Sequence, residues 1–137
     1  MPHFLLDTNN LMLVALAIAT AAMLAWTGFS RARRVTPAQA TQLINQRGAV
    51  VVDVRSADEF ATGHLTGALN LPGAALDTVP AALQDKAVPV IAVCQSGARS
   101  ARGCAALQRA GYTEVYNLDG GIEAWQQAGY PVAGKRR

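Results

Sequence analysis

The stretch Val90-Ile91-Ala92-Val93-Cys94-Gln95-Ser96-Gly97-Ala98-Arg99-Ser100 decides the reading of this chain. Residues 90–93 are apolar without a break, and three of the four are β-branched. A half-exposed strand alternates apolar and polar residues. An unbroken short run marks a strand covered on both faces, as in a parallel sheet. The small residues that follow read as a loop feeding a helix, expected over residues 99–110 with Gly111 just past its end. Strand, loop and helix in that order are one half of a parallel crossover unit.

Outward from this stretch the pattern repeats. Val50-Val51-Val52-Asp53-Val54 reads as a second fully buried strand. Thr36-Pro37 opens a helix expected over residues 36–46, with Thr as cap and Pro at the first helical position. Ser56-Ala57-Asp58-Glu59 is a capping box ahead of a short helix that ends near Gly63. Short strands are expected at 68–71 and 115–118, and further helices at 80–85 and 121–128. Strand–helix alternation through about 100 residues predicts an α/β fold: an open, mainly parallel sheet of about five strands with helices on both faces, over residues 35–133.

In such sheets ligands bind beyond the carboxyl ends of the strands, which points to Cys94 and the loop Gln95, Ser96, Gly97, Ala98, Arg99 and Ser100. Converging loop N–H groups, a helix N-terminus and the Arg99 guanidinium all favour a thiolate over a thiol. Gly97 permits the positive φ that a loop curled around one sulfur requires. A buried structural cysteine is the alternative that the residues alone leave open.

With these residues in view, the chain resembles the single-domain rhodaneses, which are persulfide-forming sulfurtransferases. The resemblance rests on CQSGARS at 94–100, on Asp53-Val54-Arg55 with Glu59-Phe60, and on Gly63-His64-Leu65 with Gly67-Ala68 and Asn70-Leu71-Pro72. It rests further on Gly120-Gly121-Ile122 with Trp125 and Gly129-Tyr130-Pro131-Val132. It implies a Cys94 persulfide, loaded by a small-molecule or protein sulfur donor and discharged to a thiol or cyanide acceptor. The loop N–H groups of residues 95–100 would stabilise the outer sulfur, and Arg99 would orient an anionic donor. No metal or organic cofactor is implied.

Related phosphatases carry their loop arginine six positions after the cysteine. Arg99 stands five positions after Cys94, which suits a single sulfur better than a phosphate. A membrane-tethered binding scaffold is the non-enzymatic alternative, and the retained Cys94, Gly97 and Arg99 favour activity.

Other residues carry blander expectations. Arg55 is expected to pair with Glu59 or Asp58, with anion binding as its functional reading. Asp53 is expected to satisfy loop N–H groups, His64 to be a hydrogen-bonded turn residue, and Cys104 a small core residue of the helix after the loop. Two cysteines make no disulfide framework, and His3 and His64 with Cys94 and Cys104 give no metal-ligand spacing.

The 137 residues are 51% hydrophobic and 15% charged, against about 25% charged in an ordinary soluble domain. The excess has a location: residues 11–29, LMLVALAIATAAMLAWTGF, contain no charge. As a helix this run spans ~28 Å, near the ~30 Å hydrocarbon core. Trp26 and Phe29 mark an interface, and Arg31, Arg33 and Arg34 follow, which predicts an N-terminus outside and a catalytic domain in the cytoplasm of a bacterial cell. A cleaved signal peptide would carry its positive charge ahead of the run, where MPHFLLDTNN has none in its side chains. The expected plan is a tail over 1–10, a transmembrane helix over 11–29, a basic linker over 30–34, the domain over 35–133, and a basic tail over 134–137.

The net charge of +3 divides accordingly. Residues 35–133 hold six basic and eight acidic side chains, net −2, and the flanks hold the remaining +5. A nucleic-acid footprint needs basic residues clustered on a folded face, so no nucleic-acid partner is expected. The resemblance implies a small-molecule or protein sulfur donor and a thiol acceptor, and the apolar run implies a lipid bilayer, where a membrane-protein partner is a further option.

Overall fold

The computed structural model describes residues 7–27 and 32–134. They fall into two units that divide at Ser30–Arg31.

The first unit holds one helix, α1 (Thr8–Thr27). An 18-residue window, Thr8–Ala25, has mean hydropathy 1.7, enough to cross a membrane, and none of it is buried. Met12 is 73% exposed and Leu24 71%. The helix starts ahead of the apolar run, at Thr8. Gly28 and Phe29, the end of the expected span, lie outside the described residues, as do Arg31 and Lys135–Arg137 of the expected basic flanks.

The second unit runs β1 (Arg33–Val35), α2 (Pro37–Arg47), β2 (Val50–Asp53), α3 (Ala57–Ala61), β3 (His64–Leu65), β4 (Leu69–Asn70), β5 (Val90–Val93), α4 (Ala98–Arg109), β6 (Val115–Leu118), α5 (Gly121–Gln127) and β7 (Val132–Ala133). Five strands form one sheet in the order β1-β6-β5-β2-β4, and every pairing in it is parallel. The expected central strands, β2 and β5, are neighbours in register Val50↔Val90 to Asp53↔Val93. All four residues of β5 are fully buried.

The strand pleat explains why no polar face is needed. Successive side chains point to opposite faces, so Val90, Ala92 and Cys94 join the core with Val52, Val54, Cys104 and Leu107, while Ile91 and Val93 join Val51, Leu118, Ile122 and Trp125 on the other side. Cys94 thus faces α4 by parity alone.

Both predicted helix starts are present. Thr36 caps α2 in a full capping box with Gln39, and Ser56 caps α3 in another with Glu59. The expected helix at 80–85 is a single 3₁₀ turn, Ala81–Leu83, held between the turn formers on either side.

Three strands differ from the sequence reading. Arg33 and Arg34, expected in a linker, belong to β1, paired with Tyr116 and Asn117 of β6. Their exposed charges hide the strand pattern, and charge is what a sheet edge carries to resist further pairing. β3 and β7 form a separate antiparallel pair, His64↔Ala133 and Leu65↔Val132. Two-residue strands leave no periodicity to read.

Helix α4 sits close to the sheet. A Cβ on Gly103 of α4 would lie 2.8 Å from Val54 Cγ1. Gly103→Ala should therefore destabilise the domain by about 1–3 kcal/mol through overpacking. In chemical denaturation the added loss should shrink in a Val54→Ala background, which removes the clashing methyl. Strictly additive losses would contradict this packing.

Candidate functional site

β5 ends at Val93, and the next residue is the cysteine. Cys94 is fully buried and its Sγ accepts a hydrogen bond from Gly97 N–H at 3.0 Å. Gly97 occupies the left-handed region at φ 100° as the N-cap of α4, the freedom expected of it. The loop carbonyls are held from the opposite side by the start of α5. Ile122 N–H donates to Cys94 O at 2.9 Å and Glu123 N–H to Gln95 O at 3.2 Å. A Cβ on Gly121, whose φ is 59°, would fall 2.4 Å from Cys94 O, so this approach admits only glycine.

Ser100 is the polar side chain nearest the sulfur, also fully buried. Its Oγ lies 3.3 Å from Cys94 Sγ, 3.1 Å from Gly97 O and 2.6 Å from Asn117 Oδ1. Asn117 Nδ2 donates to Gly97 O at 3.1 Å, which turns its Oδ1 toward Ser100. Asn117 reaches the loop because β6 pairs it with Ala92, two residues before the cysteine and on the same face. Sequence reasoning missed it. Its signal was a lone polar residue inside an apolar strand.

Burial pushes the Cys94 thiol up, but hydrogen bonds from the Ser100 hydroxyl and from the N–H groups of Ser100, Gly97 and Ser96 outweigh it and bring the pKa below the ordinary thiol value. Cys104 provides the contrast inside one core. Burial pushes its pKa up to about 12, its Sγ donates to Tyr116 O at 3.4 Å, and both cysteines are free thiols. Cys104 is the core residue the sequence suggested.

Arg55 differs from expectation in its partner. Arg55 pairs with Asp53, not with Glu59 or Asp58. Its Nη2 lies 2.8 Å from Asp53 Oδ2, its Nε 3.0 Å from Oδ1, and the side chain is 2% exposed. The strand end brings Asp53 beneath the Arg55 guanidinium, whereas α3 carries Asp58 and Glu59 outward. Arg55 also donates to Gly63 O at 2.7 Å and to Gln95 Oε1 at 3.4 Å. Its charge is thereby neutralised and buried, and its contact with the loop is a positioning one. Asp53 accepts one loop amide as expected, Arg55 N–H at 3.0 Å.

Arg99 pairs with Glu59. Nη1 and Nη2 meet the two carboxylate oxygens at 2.7 Å each. The main groups that hold the Cys94 pKa down are the Ser100 hydroxyl and the loop amides, and the Arg99 charge also interacts with Cys94. Ala98 opens α4 as its first residue, and Gln95 Nε2 donates to Glu123 at 3.4 Å. His64 Nδ1 bonds Phe60 O at 2.8 Å and its ring stacks on Phe60, a turn residue as expected. Among the described residues no cluster of His, Cys, Asp or Glu is placed to hold a metal ion.

A parallel sheet, a cysteine at the end of its central strand and a ring of donors around one sulfur agree with comparisons to known proteins. Residues 36–128 match the model of the rhodanese-like domain. The chain is 43% identical over 104 residues to the thiosulfate sulfurtransferase GlpE of Pseudomonas putida, covering 75% of this chain and 92% of that one. A rhodanese-related protein from Thermoplasma volcanium superposes with TM-score 0.62 at 26% identity, over 74% of this chain and 98% of that one. A thiosulfate sulfurtransferase from Pseudomonas aeruginosa superposes with TM-score 0.68 at 29% identity, over 77% of this chain and 21% of that one. The chain belongs to the rhodanese-like family and is a sulfurtransferase.

Proposed function

We propose that the chain is a membrane-anchored sulfurtransferase that carries sulfur as a persulfide on Cys94. The observation that carries this reading is the contrast between two buried cysteines in one core, with Cys94 alone surrounded by donors that favour its thiolate.

With thiosulfate as donor, the Cys94 thiolate attacks the outer sulfur. A new S–S bond forms to Cys94, the S–S bond of thiosulfate breaks, and sulfite leaves with the electron pair. The persulfide anion then lies among the loop N–H groups, preorganised donors that need no rearrangement as charge moves from Sγ to the outer sulfur. An acceptor such as cyanide or a thiolate attacks that outer sulfur and the Cys94 thiolate departs. The scheme is a two-step covalent exchange. Ser100 follows the charge by rotation: its single proton faces Asn117 beside the thiol and turns to sulfur beside the thiolate. Gln95, Ser96, Gly97, Ala98 and Ser100 form the cradle, and Arg55 fixes it from below through Gln95.

The anchor reading rests on α1, with its exposed apolar side chains, and on the arginines that follow it. In this orientation the N-terminus lies outside and the domain faces the cytoplasm. Reducing conditions there keep Cys94 available for persulfide exchange.

Cys94→Ser should reduce thiosulfate-to-cyanide transfer to background, whereas Cys104→Ser should leave it essentially unchanged; equal losses in both would contradict the assignment. Ser100→Ala should move the pH profile of Cys94 alkylation to higher pH and slow it several-fold at neutral pH, because it removes a donor to the thiolate. Coincident profiles would place the whole effect on the amides. The protein should stay with membranes through carbonate washing, and a reporter fused after Arg137 should behave as cytoplasmic. A soluble periplasmic form lacking residues 1–21 would overturn the anchor in favour of a cleaved signal.

A further inference from the structure

The Glu59–Arg99 pair has no duty in the scheme above. Arg99 is the second residue of α4 and carries a full positive charge beside the nucleophile, close enough for the two charges to interact. Yet both of its terminal nitrogens are committed to one carboxylate. Glu59 belongs to the first turn of α3, where the Ser56 capping box fixes it, so the clamp is anchored at both ends by helix geometry.

The pair is half exposed, with Arg99 at 51% and Glu59 at 36%. Exposed ion pairs contribute little to stability, so the fold does not depend on this one and it can open. The Arg99 guanidinium holds the Glu59 carboxyl at about 2 against the cost of burial, assisted by Ser56. Glu59 therefore stays ionised at every working pH, and the clamp is not a proton switch.

We propose that Glu59 is a specificity-determining residue: by holding Arg99 in a bidentate pair beside the Cys94 loop, it disfavours multiply anionic sulfur donors and leaves persulfide donors of low charge as the preferred class. The inference rests on the sulfur-transfer reading for its biological meaning, and on the ion pair alone for its physics. A dianion approaching Cys94 meets a guanidinium that is already neutralised. To use it, the donor must displace a carboxylate that stays tethered nearby and repels it. A neutral donor meets no such competition, and a singly charged one meets a weaker form of it than a dianion does.

Glu59→Gln tests this without dismantling α3. Glutamine serves the same capping position in α2 of this chain, where Gln39 completes the box with Thr36. The readout is Cys94 alkylation in the full-length Cys104→Ser protein with two reagents that differ in charge, iodoacetate and iodoacetamide. In each, the thiolate displaces iodide and forms an S–C bond. The rate ratio of anionic to neutral reagent cancels changes in thiolate fraction and in loop integrity. Glu59→Gln should raise that ratio several-fold, Arg99→Ala should lower it below wild type, and Glu59→Gln should add little once Arg99 is gone. The KM for thiosulfate should fall in Glu59→Gln. An unchanged alkylation ratio, or the same rise in the Arg99→Ala background, would overturn the proposal. Loss of the sulfur-transfer reading would appear separately, as absent turnover in the wild type with the ratio still responding to Glu59.

Discussion

A sulfur buried at the end of a strand has to bear negative charge, and the structure around Cys94 follows from that requirement. Removal from water disfavours a thiolate, and only donors already aimed at the sulfur reverse the balance. The Ser100 hydroxyl and the amides of Ser96, Gly97 and Ser100 supply them. Cys104 occupies the same core without such donors and stays a thiol of very high pKa. The two cysteines therefore differ in hydrogen-bond supply and not in depth.

Those donors converge because neighbouring elements leave the loop no other course. β5 delivers Cys94 by strand parity, Gly97 turns the chain through positive φ, and α5 seizes the loop carbonyls across a gap that excludes a side chain at Gly121. Below the loop, the buried Asp53–Arg55 pair ties the end of β2 to Gln95 and to Gly63. Removing one member of such a pair strands the other's charge in the core and is far more costly than never having built it. Asn117 completes the underside by satisfying Gly97 O and orienting Ser100 at once. Charge at the rim is handled differently: Arg99 and Glu59 cancel each other in partial exposure, where the pair can open.

The central features were legible because they rest on local chemistry. Unbroken β-branched runs announced β2 and β5, capping residues announced α2 and α3, and Gly97 after a strand-end cysteine announced the loop. What escaped depends on contacts distant in sequence. β1 is a strand only because β6 pairs with it, and β3 only because β7 returns to it. Arg55 has acidic residues on both sides in sequence, at Asp53, Asp58 and Glu59, and spacing does not choose among them; the strand end does. Arg99 and Glu59 lie 40 residues apart, so no local rule joins them. Asn117 owes its place at the loop to the register that sets it opposite Ala92.

The central claim is that Cys94, and not the equally buried Cys104, accepts the transferred sulfur. Mass spectrometry of the protein after thiosulfate treatment and removal of excess donor, with peptide mapping under non-reducing conditions, tests it most directly. The account predicts one added sulfur atom on the peptide carrying Cys94, lost again on addition of cyanide with release of thiocyanate. Sulfur found on Cys104, or turnover with no sulfur on Cys94 at any time, would contradict it.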